Sequence, residues 1–230
     1  MDFHSGEVST VTIEPANEEE IRQTVAVMGG EDWAMWMDAL NKAGVLASNA
    51  ITVAYSYIGP EVTYSVYREG TIGRAKDDLE ATAFSITKNL EPIGVRAYVS
   101  VNKALVTQAS AAIPVIPLYI SILFKLMKAQ GVHEGCIEQI HRLFRDRLFS
   151  TELQLDDKGR IRIDDLEMKQ ELQAEVAKIW ESASTENISL IGDLEGYRKD
   201  FFNLFGFGFS EIDYTLDVDP EINIPSIKEA

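Results

Sequence analysis

The sequence predicts an α/β fold, because short β-branched segments alternate along the chain with longer amphipathic segments. The clearest β-branched segments are residues 51–55 and 95–101. Between them, apolar side chains recur at helical spacing, which predicts a helix that starts near Thr71 and buries Leu79, Ala83, Ile86 and Leu90. A chain of 230 residues is long enough to bury a hydrophobic core in one domain.

The amino-terminal elements are predicted from helix caps and from spacing. Residues 1–13 alternate loosely between apolar and polar side chains, which is typical of a strand. Asn17 and Glu20 have the spacing of a capping box, so a helix is expected to begin there and to end at Gly29. A second helix, ended by Gly44, is predicted from one apolar face that contains Trp33, Trp36, Met37 and Leu40.

The carboxy-terminal half is predicted to be mainly helical. The apolar run 111–124 is entered through Pro114 and Pro117 and predicts a buried helix that ends near Gly131. This run is shorter than the roughly 20 apolar residues of a membrane span, so no stable membrane insertion is expected. Further helices are predicted over 137–148, 165–182 and 193–205, and further strands over 160–163 and 212–218.

Composition excludes several classes of partner. The net charge of −16 argues against binding of nucleic acid and of anionic lipid. Cys136 is the only cysteine, so no disulfide can form within the chain, and a reducing, cytoplasmic setting fits best. The first residues show no signal-peptide pattern.

The segment 54–80 holds the strongest candidate for chemistry. Lys76 follows Tyr67 with eight residues between them, at the start of a predicted helix. A phenol has an ordinary pKa of about 10, and a nearby ammonium would lower that pKa, so the pair suits proton donation beside a carbonyl. The alternative is a half-buried tyrosine in a loop and a solvated helix lysine.

Other candidate chemistry is weaker. Cys136, His133 and His141 are too few and too poorly spaced for a zinc site, so no metal is predicted. Acidic pairs at 156–157 and 164–165 have the position of helix caps and solvated turns. Gly206 and Gly208 follow a helix instead of opening one, so they do not form a dinucleotide-binding fingerprint.

The segment YSYIGPEVTYSVYREGTIGRAKDDLE resembles the trans-2-enoyl-CoA reductase and enoyl-acyl-carrier-protein reductase family of the FabV type. The resemblance continues through LVTQASAAIPVIPLYI, HEGCIEQ, GRIRIDDLEMK and LFGFGFSEIDY, and it runs from about Pro15 to Val218. It implies a partial Rossmann-type, doubly wound sheet with flanking helices, similar to that of the short-chain dehydrogenases.

The resemblance also implies an activity and its residues. The family reduces the trans-2 double bond of enoyl thioesters, carried on acyl carrier protein or CoA, with NADH in fatty acid synthesis. By resemblance Tyr67 is the proton donor and Tyr57 contacts the acyl substrate. The residues expected to contact the cofactor are Lys76, Leu105, Val106 and Thr107.

Members of that family carry an amino-terminal part with the first strands of the sheet and a glycine-rich pyrophosphate loop. Residues 1–230 are therefore expected to be one carboxy-terminal catalytic and substrate-binding portion, with the NAD-binding portion missing. The alternatives are an inactive remnant that acts as a structural or partner-binding piece and, less consistent with the Tyr67–Lys76 segment, an acidic interaction module.

Overall fold

The computed structural model describes residues 1–219, so residues 220–230 of the predicted unit lie outside it. The strands are β1 (Ile51–Ser56), β2 (Arg96–Val101) and β3 (Ile161–Arg162). The helices are α1 (Glu18–Met28), α2 (Glu31–Lys42), α3 (Thr71–Asn89), α4 (Gln108–Ala112), α5 (Ile116–Ala129), α6 (Cys136–Arg142), α7 (Gln170–Glu181), α8 (Ile188–Ile191) and α9 (Leu194–Asn203). Short 3₁₀ turns cover Glu61–Thr63 and Glu91–Ile93, and a π-helical stretch, Leu143–Leu148, extends α6.

The three strands form a parallel sheet in the order β1-β2-β3, which confirms the predicted α/β class. Ile51 pairs with Arg96 and Ser56 with Val101, and β2 then pairs with β3 through Ser100 and Ile161. Parallel neighbours need a long crossover connection, and α3 provides it between β1 and β2.

Helices cover both faces of the sheet, as the doubly wound prediction requires. Ala97 and Val99 of β2 pack in one cluster with Leu79 and Ile86 of α3. Tyr98 lies between them in the strand and so points to the opposite face, where it packs with Leu143 and β3. Because its side chains alternate between the two faces of the sheet, β2 packs into a separate apolar cluster on each face.

The predicted proline-entered helix is buried but is not continuous. Ile113 precedes Pro114 and is extended (φ −80°, ψ 125°), because the ring of a proline disfavours the helical region for the residue before it. Val115 then adopts φ 67°, so the run divides into α4 and α5. The largest core of the described residues surrounds α5, which packs against α7 and α9. No helix within residues 1–219 is both long enough and apolar enough to cross a membrane.

The amino-terminal capping box is confirmed, whereas two predicted strands are wrong. The Asn17 side chain accepts from Glu20 N at 3.0 Å and the Glu20 carboxylate accepts from Asn17 N at 2.8 Å. Residues 1–13 contain no strand, because Val8 N donates to the Thr185 side chain instead of to a strand partner. Residues 212–218 contain no strand: a turn covers residues 214–215, and the Tyr214 hydroxyl donates to Gly206 O.

We expect the core around α5 to dominate the stability of the fold. Ile122 is 0% exposed and Ile137 is 80% exposed, so the same substitution at each position isolates burial. Ile122→Ala should lower the free energy of unfolding by about 2–5 kcal/mol, whereas Ile137→Ala should change it by less than about 0.5 kcal/mol. Urea unfolding of the two variants measures the difference, and equal losses would contradict this view of the core.

Candidate active site

The candidate site lies beyond the carboxyl ends of the three strands. Tyr57 directly follows β1, Ala104 comes shortly after β2, and Glu167 comes shortly after β3. Because the strands are parallel, these three segments leave the sheet at the same edge, where open α/β sheets bind their ligands.

A buried carboxylate joins these segments. Glu167 is 0% exposed, and its Oε1 accepts hydrogen bonds from the Tyr57 hydroxyl at 3.0 Å and from the Tyr119 hydroxyl at 2.5 Å. Its Oε2 accepts from Ala104 N at 2.7 Å. Gln173 donates to both the Tyr119 hydroxyl oxygen and the Glu167 backbone carbonyl. Burial raises the pKa of Glu167, and the hydrogen bonds oppose that rise.

Tyr67 packs directly against Tyr57. The two ring centroids are 4.9 Å apart with an interplanar angle of 81°, an edge-to-face contact. Tyr67 is half-buried, and no described residue accepts a hydrogen bond from its hydroxyl. Burial, followed by the charge of Glu167, raises the pKa of Tyr67 to about 12.

Gly73 fixes Tyr67 relative to helix α3. Gly73 N donates to the Tyr67 carbonyl oxygen at 2.8 Å. A Cβ atom at position 73 would lie 2.1 Å from the Arg68 carbonyl oxygen, so no other residue allows this approach without a backbone shift. The first turn of α3 is thereby attached to the segment that presents Tyr67.

Lys76 lies one turn further along α3 and is half-buried. Within residues 1–219 its side chain makes no hydrogen bond or ion pair, to Tyr67 or to any other residue. Burial lowers the pKa of Lys76. The lowering of the Tyr67 pKa that was expected from this ammonium is not seen, because burial and Glu167 raise that pKa.

The predicted cofactor segment Leu105, Val106 and Thr107 lines a cavity of about 640 Å³. The same cavity is bordered by His133 and Asn203. His133 Nδ1 and Asn203 Oδ1 are buried and have no hydrogen-bond partner among the described residues. Burial, with Lys103 and Lys128 nearby, lowers the pKa of His133 to about 4, so the imidazole is neutral near pH 7. The cavity wall therefore offers two neutral polar side chains, His133 and Asn203, beside the acidic side chains of Glu138 and Asp200.

Sequence reasoning missed Glu167, Tyr119 and Lys103. Glu167 stands between Leu166 and Met168 in an otherwise acidic stretch, and that apolar flanking was the only signal of burial. The neighbouring Asp164, which the sequence predicts to be a solvated cap, is instead buried and accepts from Arg162 at 2.7 and 2.6 Å. Among residues 1–219 no cluster of three or more His, Cys, Asp or Glu is placed to bind a metal ion.

Comparisons with known proteins assign the chain to a family. The family model described as "Trans-2-enoyl-CoA reductase catalytic region" matches residues 1–149, and one described as "Enoyl reductase FAD binding domain" matches residues 155–218. A trans-2-enoyl-CoA reductase [NADH] of Ruminiclostridium cellulolyticum is 65% identical over 227 residues, and an enoyl-[acyl-carrier-protein] reductase [NADH] of Flavobacterium johnsoniae is 66% identical over 229.

Each of these matches covers 99% of this chain but 58% of the relative, so the chain spans little more than half of the relatives' length. The crystal structure of Treponema denticola trans-2-enoyl-CoA reductase in complex with NAD superposes with a TM-score of 0.90 at 51% identity, over 94% of this chain and 54% of that one. The chain thus belongs to the trans-2-enoyl-CoA reductase family.

Proposed function

We propose that this chain is the catalytic and substrate-binding part of an NADH-dependent reductase that reduces the trans-2 double bond of an enoyl thioester. The observation that carries this proposal is which of the tyrosine hydroxyls around Glu167 donate a hydrogen bond to it and which does not. The two relatives named above are NADH-dependent reductases of enoyl-CoA and of enoyl-acyl-carrier-protein, which supports the same reaction and favours NADH over FAD.

Three tyrosines meet at the site, and a phenol has one proton to donate. Tyr57 and Tyr119 both donate theirs to Glu167 Oε1. Tyr67 has no such acceptor among residues 1–219, so its proton remains available to a ligand. Tyr57 can offer a substrate only its ring and a lone pair, which suits contact with the acyl chain. This division of protons favours Tyr67 over its neighbour as the proton donor.

The reduction places negative charge on the thioester oxygen, and a hydrogen-bond donor aimed at that oxygen lowers the barrier. NADH, when bound, supplies the hydride that adds to the β-carbon. Tyr67 hydrogen-bonds the thioester oxygen as this charge develops and donates its proton there. The enol so formed returns to the thioester with a proton on the α-carbon, and water reprotonates the Tyr67 phenolate. A pKa of about 12 keeps the phenol protonated, and therefore able to donate a hydrogen bond, through the neutral range.

The polar atoms beside the cofactor segment fit an amide-bearing ring. Leu105 and Val106 provide apolar surface to the cavity, while His133 Nδ1 and Asn203 Oδ1 are polar atoms in need of partners. A nicotinamide carboxamide has both a donor and an acceptor for such atoms. Lys76, which has no other partner in the described chain, would face the ribose of the same cofactor.

We further propose that the pyrophosphate-binding part of the enzyme is supplied from outside this chain and extends the sheet at β1. Strand β1 is at the edge of the described sheet, and its Tyr55 and Ile51 side chains are exposed. An open, partly apolar edge is the position where a further strand pairs. The single cysteine and the net charge of −16 of this chain fit a reducing, cytoplasmic setting.

The 230-residue chain alone should bind NADH poorly and should not oxidise it when crotonyl-CoA is added. The physical reason is that dinucleotide binding in doubly wound sheets depends on a glycine-rich loop, which this sequence does not contain. Fluorescence titration should show no saturation below about 1 mM NADH. Crotonyl-CoA-dependent NADH oxidation by the purified chain would contradict this prediction.

Tyr67→Phe should lower kcat about 10²–10⁴-fold in the complete enzyme, because it removes the proton donor. The complete enzyme here means this chain joined to the nucleotide-binding part of the Ruminiclostridium relative. NADH affinity should stay nearly unchanged. Tyr64→Phe removes a phenol from the same segment and should leave turnover intact; unchanged turnover in Tyr67→Phe would remove Tyr67 from this role.

The phenol of Tyr67 should resist ionisation. Since its folded pKa is about 12 and its ordinary value is 10, folded protein holds this proton more tightly, and the resulting stability is lost as pH rises from 10 towards 12. In ¹³Cζ-tyrosine NMR, the resonance that disappears in Tyr67→Phe should not move below about pH 10.5. A resonance that moves between pH 7 and 9 would show that Lys76 controls the phenol.

A further inference from the structure

We propose that Glu167 is a positioning residue of this reductase, whose single carboxylate holds the substrate tyrosine Tyr57 with one oxygen and the cofactor segment 105–107 with the other. This inference rests on the proposed function. It assigns a role to a residue outside the Tyr–Lys pair, on a segment that follows β3 instead of β1 or β2.

The Oε1 side positions the substrate wall. Tyr119 is fully buried in α5, and its hydroxyl shares this oxygen with Tyr57. The phenol end of Tyr57 is thereby fixed to the core around α5. Because the Tyr67 ring packs edge-to-face on Tyr57, the same contact limits where Tyr67 can lie.

The Oε2 side positions the cofactor segment. Ala104 N donates to this oxygen at 2.7 Å, and the next residue is Leu105, the first of the cavity-lining segment. The preceding peptide is also fixed, since Lys103 N donates to Gln139 Oε1 at 2.9 Å. Two successive backbone N–H groups therefore fix the chain directly before it reaches the cavity.

The site compensates the burial of this carboxylate. A buried acid is costly unless hydrogen bonds and opposite charge accompany it. Glu167 accepts hydrogen bonds from three donors. The ammonium of Lys103, a residue that is 2% exposed, is close enough to favour the charged form of Glu167. The two side chains nevertheless form no ion pair within the described residues. The Lys103 ammonium donates to the Ala104 carbonyl oxygen, the same peptide region that Glu167 holds.

Glu167→Gln in the complete enzyme tests the inference, because glutamine matches glutamate in shape. Its carbonyl oxygen can still accept from Tyr57 and Tyr119, whereas its amide nitrogen is a donor that faces the Ala104 N–H. The variant should therefore lose the hydrogen bond that holds the cofactor segment and should keep those that hold Tyr57 and Tyr119. KM for NADH should rise about tenfold, while KM for crotonyl-CoA and kcat should each change less than about threefold.

The matched control is Glu175→Gln, which removes the same charge from an exposed position on α7 and should leave all three constants unchanged. A purely structural role of Glu167 would reduce the folded fraction, which lowers apparent kcat and leaves both KM values unaltered. That result in Glu167→Gln would overturn the inference.

Glu167→Asp provides the second variant should Glu167→Gln fail to fold. Aspartate keeps the charge but is one methylene shorter, so it cannot reach both Ala104 and the two phenols. KM for NADH or for crotonyl-CoA should rise at least about fivefold, and unchanged values would overturn the inference. If the wild-type complete enzyme is active and both variants keep its KM values, the inference is refuted but the proposed function is not. A complete enzyme without crotonyl-CoA-dependent NADH oxidation refutes the proposed function, and the inference with it.

Discussion

The buried carboxylate of Glu167 is the interaction on which the rest of this site depends. It lies where the carboxyl ends of three parallel strands converge, and it contacts the segments that follow β1 and β2 as well as helix α5. A fully buried acid is costly unless hydrogen-bond donors surround it, and Glu167 has three. The segments around it are therefore held where their hydrogen-bond donors reach it, and this requirement places Tyr57 and the cofactor segment in one site.

The same requirement divides the chemistry among the tyrosines. Tyr57 and Tyr119 use their protons to stabilise the carboxylate, whereas Tyr67, which packs against Tyr57, keeps its own. The negative charge of Glu167 also makes ionisation of Tyr67 harder, so the site favours a neutral acid over a phenolate. A proton donor needs this state at neutral pH.

Local sequence patterns predicted most of the fold. The Asn17 capping box, the β-branched strands β1 and β2 and the amphipathic face of α3 are signals within a few residues of each other, and the structure confirms them. The predicted strand over 212–218 was wrong because alternation alone does not supply a pairing partner. The site was predicted in part: Tyr57 and Tyr67 do lie together, but Glu167 contacts residues more than 45 positions away, which spacing cannot show.

A crystal structure of the complete enzyme with NAD and a saturated acyl thioester, which cannot be reduced, tests the central claim most directly. The account predicts that the thioester oxygen lies within about 3.2 Å of the Tyr67 hydroxyl, while the Tyr57 hydroxyl remains on Glu167. A Tyr57 hydroxyl that has left Glu167 to bind the thioester oxygen, with Tyr67 turned away, would contradict it.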